Sequence, residues 1–284
     1  METEAEGDEG TIIEGTLAAV AEWEPRLATR VGAGAAAVGL TEHLLSALQG
    51  CGIDNARIEV EGGPELPILD GSSWEWAAAV CGAGRAEARD AAGARRRREA
   101  PRPGRPLTVR RGDAFVALVP AAEHTLTYGI DFAEKAGGEV IGKQWFSWSP
   151  GRDCFLAEVA AARTFCCRSD VEALRGMGLI QGGSEENAMV ADGARWTNPA
   201  RLRFPGDEQA RHKLLDLVGD LALLGRGGHS GLPCAHVVAY KAGHALHLEL
   251  AREILRDCGG AAAAAEGSAW ARAWAEGLAA AVGA

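Results

Sequence analysis

The sequence lacks the features that mark membrane-spanning, nucleic-acid-binding and disulfide-rich proteins. It has no apolar run of the roughly 20 residues needed to cross a bilayer. Its formal net charge of -10 gives no general attraction for phosphates. Its 7 cysteines form no C-x-x-C pair, so neither a zinc ribbon nor a disulfide framework is indicated. We therefore expect a soluble protein that has no transmembrane segment and binds no nucleic acid.

We also expect no targeting peptide within this sequence, because residues 1–10 are acidic rather than basic or apolar. With 284 residues, of which 47% are hydrophobic, the chain has the size of one large or two medium domains. An Ala/Arg-rich stretch ending in Pro101, Pro103 and Pro106 marks a boundary. The composition predicts a first domain over 1–84, a linker over 85–106, a second domain over 107–258 and an Ala-rich tail over 259–284.

Hydrophobic periodicity and turn residues predict helices and strands on both sides of the linker. In the first domain they predict one or two strands within 11–31, a helix capped by Thr41, a strand over 56–60 and a helix through Trp74 and Trp76. In the second domain they predict strands over 107–111, 114–119, 125–130 and 236–240, and helices over 169–177, 207–224 and from about 241–247 onward.

A stripe of ionisable residues is the strongest chemical signal in the predicted helix over 207–224. His212, Asp216 and Asp220 recur every fourth position and therefore lie along one helical face. An imidazole and a carboxylate one turn apart can clamp Zn²⁺, while Asp220 is better placed to orient a neighbouring histidine. The alternative is a set of solvated side chains or a local hydrogen-bonded pair.

Glu42 and His43 open the predicted helix that Thr41 caps, and both can border one site over its first turn. There His43 could be a third metal ligand while Glu42 reaches the attacking water. The alternative is a helix-capping acid beside a partly buried histidine.

A competing pattern at residues 32–37 fits the G-x-G-x-x-A dinucleotide fingerprint and would indicate a nicotinamide-dependent oxidoreductase. Against it, Pro25, Arg26 and Arg30 stand where a buried parallel strand should be rich in Val and Ile.

Taken together, the motifs resemble those of the zinc-dependent UDP-3-O-acyl-N-acetylglucosamine deacetylases of lipid A biosynthesis, from about residue 27 to residue 256. The resemblance lies in ordered blocks over 42–48, 52–55, 67–72, 162–165, 182–184, 212–220 and 243–246. The stretch 227–247, which ends in His247, is most similar to the plant and algal branch. Glu186 stands where the family usually has Asp, and this sequence does not show the longer N-terminal segment of the family, which would leave a sheet edge exposed.

The resemblance implies an α+β fold of two similar domains, each a small and mostly antiparallel sheet layered with helices, with the site at the domain interface. It implies Zn²⁺ as cofactor. The implied ligands are His43, His212 and Asp216. The implied catalytic residues are Glu42 as general base, His244 as the cation that stabilises the oxyanion and protonates the leaving amine, Asp220 as its partner, and Thr164 as a donor to the oxyanion.

For the substrate, the resemblance implies a small molecule that is half nucleotide sugar and half lipid. Lys213 and Lys241 would line its polar side and Phe165 would contact the acyl chain. We expect a monomer, located in the mitochondrion if the plant-like features reflect its origin and in the cytoplasm otherwise. A homologue that keeps the zinc and nucleotide-sugar pocket but turns over poorly is the alternative to an active deacetylase.

Overall fold

A computed structural model of the chain describes residues 11–21, 27–176, 184–197, 202–226 and 229–259. Its helices are α1 Glu42–Gly50, α2 Trp74–Ala83, α3 Phe155–Glu158, α4 Arg168–Gly176, α5 Glu208–Ala222 and α6 His244–Asp257. Its strands are β1 Leu107–Arg111, β2 Ala114–Pro120, β3 Thr125–Asp131, β4 Lys143–Trp148, β5 Phe165–Cys167, β6 Met189–Asp192, β7 Arg195–Trp196 and β8 Ala235–Tyr240. The predicted α+β class is confirmed.

The larger sheet has the strand order β1-β2-β8-β3-β4, and all its pairs are antiparallel except β3 with β8. Gly112 lies in the tight turn between β1 and β2 and has a φ of +61°. A residue with a side chain would be strained in this left-handed conformation. Alternate residues such as Leu118, Tyr128 and Val237 are buried on one face, against which α5 and α6 pack. The smaller sheet has the order β5-β6-β7.

Helices α1 and α5 pack closely, and Gly219 makes that approach possible. A Cβ atom at Gly219 would lie 2.1 Å from the Glu42 carbonyl oxygen, so no larger residue fits without moving one helix. The first turn of α1 therefore lies directly against the His212–Asp220 stripe of α5.

Several predicted elements agree with the structure. The helices predicted over 207–224 and through Trp74 match α5 and α2, and the predicted strands of the second domain match β1, β2, β3 and β8. The helix predicted over 169–177 corresponds to α4, which begins one residue earlier, at Arg168; the predicted end at Met177 lies outside the described residues. No described helix is long and apolar enough to span a bilayer.

The strands predicted in the first domain are wrong for the described residues. Within 11–21 and 27–31 only Val20 and Val31 form isolated bridges, and residues 56–60 form no strand. Ile58 and Val60 alternate with charged residues as in a strand, but they are 46% and 41% exposed. Their side chains therefore do not form the buried face of a sheet. Thr41 does not cap α1 with its side chain, since its backbone is helical rather than extended and its hydroxyl oxygen accepts no N–H of the first turn. The hydroxyl donates to the Thr29 carbonyl.

The dinucleotide interpretation of residues 32–37 is also wrong. A strand should lead into that glycine turn and a long helix should follow it. Instead, Gly34–Ala36 is a single 3-10 turn between the isolated bridges of Val31 and Val38.

Candidate active site

Three buried side chains from α1 and α5 form a group that could hold a metal ion. His43, His212 and Asp216 place their ligand atoms within 4.8 Å of one another. The nearer carboxylate oxygen of Asp216 lies 3.7 Å from His43 Nε2 and 3.5 Å from His212 Nε2. The two imidazole rings stand edge to face, with centroids 5.1 Å apart. The sequence analysis predicted His212 and Asp216 on one helix and His43 as a third ligand from another, and the fold brings these three side chains together.

The protonation of the two histidines suits metal binding. His212 donates its Nδ1–H to the carbonyl oxygen of Ala162 at 3.0 Å, which leaves the Nε2 lone pair directed at Asp216. Burial and the nearby His212 lower the pKa of His43 to about 3, and burial lowers the pKa of His212. Both imidazoles are therefore neutral at pH 7, as metal ligands must be.

The Asp216 carboxylate stays ionised despite its burial. Lys213 donates to the Asp216 oxygen that faces away from the histidines, at 2.7 Å. Burial alone would raise the pKa of Asp216, but the charge of Lys213 holds it far below its usual range. Two neutral nitrogens and one anionic oxygen thus converge on a buried point, a donor set that fits a divalent cation.

A second group lies one turn further along α5. Asp220 accepts a hydrogen bond from His244 Nδ1 at 2.8 Å, at the first residue of α6. Burial disfavours the charged imidazole, but the charge and hydrogen bond of Asp220 outweigh it and raise the pKa of His244 to about 9. His244 is therefore a cation at pH 7. Its Nε2 lies 3.9 Å from Oε1 of Glu42, so an acid and a base face each other.

Glu42 is held in place by the backbone of a preceding segment. Its Oε2 accepts the Thr29 N–H at 2.9 Å. Burial raises the pKa of Glu42 to about 7, against the opposing charge of His244. A carboxylate with this pKa can accept a proton near neutral pH, which a solvent-exposed glutamate does poorly.

Comparison with known proteins agrees with this chemistry. The UDP-3-O-acyl N-acetylglycosamine deacetylase family model matches residues 4–256. The chain belongs to this deacetylase family. The family model thus matches from residue 4 onward, whereas the motif resemblance found in the sequence begins only at about residue 27.

Named relatives of the deacetylase family occur in plants and cyanobacteria. The probable UDP-3-O-acyl-N-acetylglucosamine deacetylase 1, mitochondrial, of Arabidopsis thaliana is 47% identical over 224 residues, which cover 76% of this chain and 67% of that protein. The UDP-3-O-acyl-N-acetylglucosamine deacetylase of Thermosynechococcus vestitus is 48% identical over 233 residues, which cover 81% of this chain and 73% of that protein.

The remaining residues implied by the deacetylase motifs lie at different places around this centre. Phe165 packs edge-on to His212, with ring centroids 6.3 Å apart, and therefore borders the metal group. Thr164 precedes it and is fixed by main-chain hydrogen bonds to Gly71 and Met189. Lys241, exposed at the end of β8, pairs with Asp113 rather than with a residue of the metal group.

Sequence reasoning assigned no role to three residues that complete the site. Thr29 donates its backbone N–H to Glu42 and its hydroxyl to Asp220. His247 donates to Asp220, and Tyr128 contacts His247 from β3. Only His247 left a sequence signal, because it lies three residues after His244 and so on the same face of α6.

Proposed function

We propose that the chain hydrolyses the N-acetyl group of UDP-3-O-acyl-N-acetylglucosamine and releases acetate, an early step of lipid A biosynthesis. The family match and the names of the relatives support this activity. The observation that carries the proposal is a buried group of possible metal ligands beside Glu42 and His244. The Nε2 atom of His244 and the Oε1 atom of Glu42 lie 3.9 Å apart. Hydrolysis of an unactivated amide at neutral pH is served by this combination of Lewis acid, base and acid.

The proposed metal is zinc, held by His43, His212 and Asp216. Two neutral imidazoles and one carboxylate, with a fourth position left for water or substrate, are typical of catalytic zinc sites. When bound there, zinc would act as a Lewis acid on the acetamide carbonyl and on the attacking water.

Glu42 and His244 would carry the two proton transfers. The Glu42 carboxylate takes a proton from water as the water oxygen bonds to the amide carbon. His244 keeps its Nδ1–H on Asp220, so its Nε2–H is the proton available to the amine. As the C–N bond breaks, that proton passes to the departing nitrogen, and the amine leaves as a neutral group.

The other implied residues would recognise the substrate. The Thr164 hydroxyl would donate to the oxygen that gains negative charge in the transition state. Phe165, beside His212, would contact the acyl chain. Lys213 and Lys241 would attract the nucleotide diphosphate, Lys213 from next to the metal group and Lys241 from the end of β8.

Zinc content and acetate release from the purified protein test this proposal. We expect His212→Ala to lose most bound zinc and the release of acetate from UDP-3-O-acyl-N-acetylglucosamine, and a chelator to inhibit the wild type. His236→Ala is the matched control, because His236 is exposed on the opposite face of the sheet, where its ring nitrogen hydrogen-bonds with Thr127. Substrate binding without acetate release by the zinc-loaded wild type would favour the impaired homologue.

We also propose a mitochondrial location, supported by the word mitochondrial in the names of the plant relatives. Immunodetection of the chain in fractionated source cells tests this. Detection only in the cytosolic fraction would contradict it.

A further inference from the structure

The Asp220 carboxylate accepts three hydrogen bonds, which is more than the orientation of one histidine needs. Its Oδ2 accepts Nδ1–H groups from both His244, at 2.8 Å, and His247, at 2.7 Å. Its other oxygen accepts the Thr29 hydroxyl. All of these side chains are buried, so water does not substitute for any of the donors. His244 and His247 therefore compete for one carboxylate oxygen.

Tyr128 holds the far side of the His247 ring. Its hydroxyl lies 2.9 Å from His247 Nε2 and 2.8 Å from the carbonyl oxygen of Ala242. The hydroxyl has one proton for these two acceptors. When His247 is neutral, with its proton on Nδ1, Tyr128 can donate to Nε2. If Nε2 gains a proton, Tyr128 can turn its O–H to Ala242 and accept from Nε2 instead.

We propose that His247 is a positioning residue for the deacetylation: by donating to Asp220 on the oxygen that His244 uses, it fixes that carboxylate and limits how strongly the carboxylate binds the His244 proton. The inference rests on the proposed function of His244 as the acid. His247 is fully buried behind Asp220, so it acts through that carboxylate and not on the substrate.

The direction of the effect follows from charge sharing. A carboxylate that is already neutralised in part by one N–H donor attracts a neighbouring cation less strongly. Loss of the His247 donor should therefore raise the pKa of His244 and make it a weaker acid. The charged and titratable groups that act on His244 include Glu42 and His43 from α1, His212, Asp216 and Asp220 from α5, and His247 on its own helix.

The test compares two substitutions with different donor properties. His247→Leu removes the donor. His247→Asn places an amide nitrogen near the position of Nδ1, so it keeps a donor to Asp220. We expect the leucine variant to lower kcat, leave KM nearly unchanged and move the basic limb of the kcat profile upward by up to about one pH unit. The asparagine variant should return both the rate and the limb close to the wild-type values.

Nitrogen NMR of ¹⁵N-histidine in the zinc-loaded protein gives a readout that needs no turnover. We expect neutral His247 to carry its proton on Nδ1, and the titration of His244 to move upward in any folded His247→Leu protein. A wild-type spectrum with the His247 proton on Nε2 would overturn the proposal. Equal pH profiles for the leucine and asparagine variants would also overturn it. If the wild type releases no acetate, the proposed function fails, while the NMR result still decides the positioning role.

Discussion

Two buried carboxylates one turn apart on α5 differ in their partners, and this difference separates their roles. Asp216 faces neutral His212 and the ammonium group of Lys213. Asp220 faces the His244 cation. Burial by itself would raise the pKa of Asp220, but the charge of His244 and the hydrogen bonds from His244 and His247 lower this pKa to about 2. The first carboxylate has an oxygen left for a metal, whereas the second holds an acid in its charged form.

Replacement of Asp220 tests the source of the His244 charge. Asp220→Asn removes the negative charge that raises the pKa of His244 to about 9, while burial continues to lower it. The imidazole then loses its proton at lower pH, so the basic limb of the kcat profile should move downward and the rate at neutral pH should fall on the order of 10²-fold.

The pH profile and the zinc content of the Asp220→Asn protein measure this effect. Zinc should remain bound, since the ligands are unchanged. An unshifted basic limb would mean that another group supplies the proton.

Thr164 offers a second test at the scale of one residue. Thr164→Val keeps the shape of the side chain, and the main-chain bonds to Gly71 and Met189 hold the backbone in place. Loss of a donor to the oxyanion should lower kcat by about 10²-fold and change KM little. Steady-state kinetics measure this effect, and a change confined to KM would assign Thr164 to substrate binding instead.

Residue spacing accounts for only part of the site. His212, Asp216 and Asp220 could be found because a helical period brings them to one face. Thr29 lies 191 residues from Asp220, and Tyr128 lies 119 residues from His247. Their contacts depend on tertiary packing, and neither residue stands in a pattern that predicts such a partner.

At the scale of elements, hydrophobic periodicity predicts a helix or strand well where one face of the element is buried and the other is exposed to solvent. Helix α5 was predicted within two residues at each end because its apolar stripe is regular. Strand β4 was missed because the exposed face carries Trp145, which is 53% exposed and stacks on Tyr240. An aromatic residue on the solvent face hides the alternation that marks a strand.

The contact between α1 and α5 at Gly219 gives a prediction for these two helices. Alanine is the better helix former, yet a Cβ atom there would lie 2.1 Å from the Glu42 carbonyl oxygen. Gly219→Ala should therefore push α1 away, destabilise the fold by about 1–3 kcal/mol and weaken zinc binding, because His43 moves with Glu42.

Gly82→Ala in α2 is the matched control for this substitution. A Cβ atom at Gly82 meets nothing within 4 Å, so that variant should be as stable as the wild type or more stable by about 0.5–1 kcal/mol. Denaturant unfolding and zinc titration measure both variants. Equal stability and equal zinc affinity in the two proteins would show that α1 adapts to the larger residue.

At the scale of the whole molecule, the proposed ligands join parts of the chain that are distant in sequence. His43 lies at the start of α1, whereas His212 and Asp216 lie on α5. Four of the five strands of the larger sheet, β1 to β4, lie between these two helices in the sequence. A metal that binds only when these helices are together stabilises the folded state by RT ln(1 + [L]/Kd), or about 2.7 kcal/mol at a hundredfold excess over Kd.

Zinc should therefore raise the thermal midpoint of the chelator-treated protein by about 5–10 °C. His43→Ala and His212→Ala should each abolish most of this rise, although one ligand belongs to α1 and the other to α5. His236→Ala should keep the rise, because its ring lies on the exposed face of the sheet. Scanning calorimetry with and without added zinc measures all four proteins. If the rise survives in His43→Ala but not in His212→Ala, the metal does not bridge the two helices, and α1 would contribute Glu42 to the site without contributing a ligand.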